Sequence, residues 1–185
     1  KTSEYRPTEP GKSEDIPNRL TSILSFPEFL LHLLKLFSEK YTIPLKSFSF
    51  DDKNLVNIFK ESNIINVKPE EFLLFMLEIR ILFDKYFIKS IVTTEGTRWE
   101  IRDIKLNAHS GEYERVNHME QSVIQIQSML NVSTDSNLWL TNVFKFLIAE
   151  NSCTSEKFLS YLEKLDRNIH PDLPLLKDLS RGTGT

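Results

Sequence analysis

The chain has 185 residues, of which 40% are hydrophobic, with thirteen Phe, five Gly, a single Cys and a formal net charge of −3. This is ample apolar material for one medium domain or two small ones, but one Cys excludes an intrachain disulfide framework or a Cys-cluster zinc site and fits a reducing, intracellular compartment. The balance of charge lacks the broad basic excess of a dedicated nucleic-acid binder, and so few Gly leave little backbone able to cradle a phosphate.

Residues 1–19 combine three Pro with alternating charges and few groups able to bury, and read as an extended arm with Tyr5 and Ile16 as anchors should it dock. Ser25-Phe26-Pro27-Glu28 is a capping-box pattern that starts a helix running to about Tyr41, where Pro44 forbids much continuation. Ser49-Phe50-Asp51-Asp52 is a second start signal with Ser49 as the expected cap, followed by Leu55, Val56, Ile58 and Phe59. Lys68-Pro69-Glu70-Glu71 is a third, with Pro in the first turn and two carboxylates facing the helix N-terminus, and it opens a helix to about Phe87. Phe26–Phe37 holds eight Phe or Leu among twelve residues, and Phe72–Phe87 twelve apolar residues among sixteen. Helices this apolar need cover on several sides, so both are expected at the centre of a core.

The hydrophobic period then changes. Segments 88–94 and 97–104, rich in Ile, Val, Thr and Trp around Glu95-Gly96, predict a β-hairpin with Trp99 and Ile101 on one face and Arg98, Glu100 and Arg102 on the other. Residues 107–117 read as a polar connection and the best internal boundary. Beyond it, Met119, Val123, Ile126 and Leu130 recur at helical spacing. Asp135-Ser136 can cap a helix carrying Trp139, Val143, Phe146 and Leu147, and Thr154 one carrying Phe158, Tyr161, Leu162 and Leu165. Residues 167–185 read as a tail in which Leu173, Leu175, Leu176 and Leu179 could dock. The expected fold is therefore mainly α: a bundle of about six helices with one small β-hairpin at about 88–104. The arm 1–19, the core 20–106, the connection 107–117 and the helical segment 118–166 are its parts. Whether 1–106 and 118–185 share one core is open at this level.

No motif points to catalysis. His32, His109, His118 and His170 are far apart, and none has a His or Cys three or four residues away, the usual spacing of a metal-ligand pair. His32 interrupts an apolar face and reads as a core residue. Ser25, Ser49 and Thr154 are explained as caps, the acidic pairs Asp51/Asp52 and Glu70/Glu71 as first-turn charges, and neither a nucleophile elbow nor a Gly-rich nucleotide loop occurs. The expectation is a non-enzyme with no metal, cofactor or small-molecule substrate. The longest unbroken apolar run, Phe72–Leu77, is also far too short for a membrane span.

Two surface readings compete. The first is a protein-interaction domain anchored by the exposed aromatics Phe48 and Phe50, joined by Trp139 if that side chain is not buried. The second is a winged-helix-like DNA binder in which Arg98, Arg102 and Lys105 of the hairpin meet phosphate, since Arg80–Lys105 carries six cations against four carboxylates. The helix that would enter the major groove, Phe72–Phe87, lacks the row of polar side chains that base reading needs. The run Phe29-Leu-Leu-His-Leu-Leu-Lys-Leu-Phe-Ser-Glu-Lys-Tyr-Thr-Ile-Pro-Leu-Lys-Ser-Phe-Ser-Phe-Asp-Asp52, followed by Leu55-Val-Asn-Ile-Phe59, resembles the DDT domain of chromatin-remodelling accessory subunits. The likeness lies in an apolar helix ending in Phe, a proline-containing link, a Phe-Ser-apolar-acidic helix start and a second apolar helix, and the hairpin at 88–104 departs from it. The resemblance implies a nuclear helical scaffold that contacts a remodelling ATPase or linker DNA.

Overall fold

Helix α1 (Phe26–Lys40) starts with the expected reciprocal cap: the Glu28 amide donates to Ser25 Oγ at 3.4 Å, and the Ser25 amide to Glu28 Oε2 at 2.7 Å. Phe29, Leu31, His32, Leu33, Leu34, Leu36, Phe37 and Ser38 are all buried, so this helix is covered nearly all round. The computed structural model describes residues 20–64, 68–93, 96–116, 119–134, 138–150 and 152–171. The expected arm, His118, the Asp135-Ser136 cap and the leucines of 172–185 lie outside that set.

After α1 the chain turns through Thr42 and Ser47, both at positive φ, and reaches a 3₁₀ turn at Asp52–Asn54. Asp51, not Ser49, caps that turn by accepting from the Lys53 amide at 3.1 Å, while Ser49 Oγ is buried without a hydrogen-bond partner. The start signal was real, but the nearer carboxylate took the cap. Helix α2 (Leu55–Ser62) ends at Asn63 in the left-handed conformation, a usual C-terminal stop. Helix α3 (Pro69–Tyr86) buries Phe72, Phe75, Ile79, Phe83 and Tyr86 along one stripe.

Among the described residues, five strands obey the same logic of alternation and turns. Strands β1 (Leu20–Ser22), β2 (Lys89–Thr93) and β3 (Gly96–Glu100) form an antiparallel sheet in the order β1-β2-β3, with Leu20 opposite Ile91 and Ser90 opposite Trp99. The segment 97–104 is not one strand. It breaks at Ile101 and Arg102, and β4 (Asp103–Leu106) pairs instead with β5 (Tyr113–Val116). The expected polar connection at 107–117 thus contains a second hairpin. Its turn is built by Asn107, whose side chain accepts from the amides of His109 and Ser110, and by Gly111 at φ +71°.

Helices α4 (Gln121–Ser133), α5 (Leu138–Ala149) and α6 (Ser155–Ile169) follow among the described residues, α6 capped by Thr154 Oγ1 accepting from the Lys157 amide. The tail read from residue 167 is therefore still helix as far as Ile169. One continuous core joins the two halves: Phe83 lies 5.7 Å from Phe29 and 6.1 Å from Phe144, Phe87 4.6 Å from Phe144, and Tyr86 5.7 Å from Phe158. The fold is mainly α with small hairpin-built sheets.

Candidate protein interface

Helix α3 departs from the expectation of cover on several sides. Leu73, Leu74, Leu77 and Ile81 are 57%, 69%, 58% and 57% exposed. Apolar residues at spacings of 3 and 4 occupy both faces of this helix. One face meets α1 and α5, and the other stays in water. Scattered surface leucines need no explanation, but four on consecutive turns of one helix form a patch of the kind that marks an interaction site.

The patch runs into a cleft of roughly 430 Å³. Ile81 belongs to both. Leu20 of β1 forms another apolar wall, while Asp84, Lys85, Lys89, Arg102 and Asp103 supply the rim. The charges there are mostly tied down. Asp84 holds Arg80 through two hydrogen bonds of 2.7 and 3.1 Å, and Lys89 donates to the Asp84 carbonyl at 2.7 Å. Burial pushes the Lys89 ammonium below its ordinary pKa, against the opposing pull of the Asp84 carboxylate.

Phe48 and Phe50 are half-buried and belong to the molecule's own packing. Their rings meet edge to face at 4.9 Å, the Lys35 ammonium sits 5.7 Å from Phe48, and Phe50 lies 4.7 Å from His32. Trp139 is only 1% exposed and packs 6.3 Å from Phe87, so it cannot anchor a partner. Chain matching of this protein against family models, curated proteins and solved structures finds no counterpart.

On the hairpin, Glu100 pairs with both Arg98 and Arg102. Burial pushes the Glu100 carboxyl up, yet hydrogen bonds and charge from Arg102 and Arg98 outweigh it and hold the group below its ordinary pKa. The two arginines lie at a second cleft of roughly 500 Å³ with Trp99, Ile101, Gln121 and Ile124. Lys105 lies on β4, one strand away, and its side chain is not among those described. Ile101, just past the end of β3, lies in the core, and Trp99 is partly buried.

His32 is 1% exposed and shares a 2.7 Å hydrogen bond between Nδ1 and Thr141 Oγ1 of α5, while Nε2 has no partner. Burial lowers its pKa to about 4, with the Glu28 charge opposing, so the ring is neutral at pH 7. Cys153 is partly buried, and burial followed by the Glu150 charge raises its thiol pKa, the reverse of a reactive thiolate. Among the described residues, no group of three His, Cys, Asp or Glu converges as a metal site would, and no helix is long and apolar enough to cross a membrane.

One buried polar residue escaped sequence reading. Gln127 of α4 is fully buried, donates from Nε2 to the Tyr86 carbonyl at 2.9 Å and accepts from the Ile88 amide at 3.3 Å. It satisfies the backbone where α3 gives way to β2. The only signal was a Gln on the same face as Val123, Ile124 and Leu130.

Proposed function

We propose that this chain is a non-catalytic helical protein-interaction domain of a multiprotein assembly, docking through the outer face of α3. The observation that carries this reading is the row of Leu73, Leu74, Leu77 and Ile81, exposed on consecutive turns and continued by the cleft at Leu20. Such a row offers shape and apolar area with few directional groups, which suits packing against another protein surface and gives no means of bond-making chemistry. The DDT-like run Phe29–Phe59 makes a nuclear chromatin-remodelling assembly the setting to test first. Phosphate contact by Arg98 and Arg102 is the weaker reading, because Glu100 already neutralises one of their two charges and engages both.

The test is affinity purification of the full-length protein and of its Leu74→Glu/Leu77→Glu variant, with thermal unfolding recorded for both. The expected result is loss of co-purifying chains with little change in melting temperature, since both leucines already face water. An unchanged set of associated chains removes α3 as the docking face. Titration with duplex DNA at low salt addresses the other reading: binding abolished by Arg98→Ala/Arg102→Ala makes this a nucleic-acid domain instead.

A further inference from the structure

We infer that the occupant of the α3 face is a second copy of this chain, packed with its own α3 antiparallel to the first. The inference rests on the reading of α3 as an interface, and it adds the partner's identity.

The reason is the symmetry of the surface. At 100° per residue, Glu70, Leu74, Leu77, Ile81 and Lys85 fall within an arc of about 80°, along a helix length of about 22 Å. Glu70 and Leu74 stand on the Pro69 side of the midpoint between Leu77 and Glu78, and Lys85 and Ile81 stand at matching distances on the other side. A two-fold axis through that midpoint therefore sets Leu74 against Ile81 of the second copy, Glu70 against its Lys85, and the two Leu77 side chains beside the axis. Among the described residues neither Glu70 nor Lys85 has an ion-pair partner, although the Lys85 ammonium rests 5.3 Å from the Tyr86 ring, whereas Glu71 is paired with Lys68 at 3.2 Å and Asp84 with Arg80 at 2.7 Å. An acid at one end, a cation at the other and aliphatic groups between them make a self-complementary patch, which is what an isologous contact demands. The cleft beyond Ile81 lies where the second copy's Glu70 and Leu73 arrive, and Lys85 on its rim faces that carboxylate, while Lys89 and Arg102 stay engaged with Asp84 and Glu100. The two Glu78 carboxylates approach each other at the solvent rim of this contact and weaken it. A dissociation constant on the order of micromolar is the outcome, as befits a small interface.

Sedimentation equilibrium of the intact chain, from about 1 to about 200 µM to bracket that constant, reads the result. Twice the chain mass is expected at the upper end, falling to the single-chain mass on dilution. Leu77→Glu should weaken association about 30-fold or more, the loss typical of a central anchor. Glu70→Lys and Lys85→Glu should each weaken it, and the two together should restore it, which only an antiparallel arrangement predicts. A wild-type monomer throughout the range overturns the inference, as does a dimer indifferent to Leu77→Glu, or a charge-swapped double variant no tighter than the singles. If the wild type is monomeric while the Leu74→Glu/Leu77→Glu variant still loses its associated chains, the interface reading stands and a different protein occupies the face.

Discussion

His32 shows how one buried side chain couples the fold to pH. Its ordinary pKa of 6.5 falls to about 4 in the folded chain. Between those values the unfolded chain binds a proton that the folded chain refuses. Its contribution to stability is therefore fully present above about pH 6.5 and is lost as pH falls toward 4, amounting to roughly 3 kcal/mol. Glu100 is held below its own ordinary value of 4.5, so it adds its loss at more acidic pH. Urea unfolding at pH 7, 5.5 and 4.5 should show wild-type stability dropping through this window and His32→Gln dropping much less. Parallel curves for the two proteins would remove His32 as the cause.

At the scale of elements, the helix starts were the most legible part of the sequence because capping is a local matter. Ser25 with Glu28 and Thr154 lie within three residues of the amides they accept from, and Pro69 with Glu70 and Glu71 marks the first turn of α3 without a side-chain cap. Ser49 shows the limit of that reasoning. Asp51, read from the sequence only as a first-turn charge, stands two residues further on, and the path of the chain after Ser47 brings it to the free amide. Opposite effects follow for the two residues. Asp51→Ala should cost about 1 kcal/mol by removing a cap. Ser49→Ala should be neutral or stabilise by about 1 kcal/mol, because it removes a buried hydroxyl with no partner. Chemical denaturation of both variants checks this, and a loss of stability in Ser49→Ala would return the capping role to Ser49. The second hairpin was hidden for another reason: Tyr113–Val116 is four residues long, too short for alternation to stand out, and its pairing with Asp103–Leu106 depends on the turn at Asn107 and Gly111.

At the scale of the whole molecule, hydrophobic content marked which helices matter but not which sides they cover. Both apolar blocks looked alike in sequence. The partners that separate them come from far along the chain: Phe144 and Thr141 close over α1 and the inner face of α3, and nothing among the described residues closes over Leu73, Leu74, Leu77 and Ile81. The candidate interface was therefore invisible until the fold assigned faces, whereas the aromatic anchors suggested by composition turned inward. Because Phe83, Phe87 and Tyr86 pack on α5 and α6, residues 20–116 alone should lack a stable core. That fragment is expected to unfold without a cooperative transition by circular dichroism. A sharp transition like that of the whole chain would make α4–α6 a separate module.

Gln127 has a consequence of its own. Its single amide group serves the last carbonyl of one helix and the first amide before a strand, from 41 and 39 residues further along the chain. The junction at Phe87 and Ile88 can reach its final form only after α4 has arrived, so hydrogen exchange at the Ile88 amide should report assembly of the second half of the molecule and not the local melting of α3.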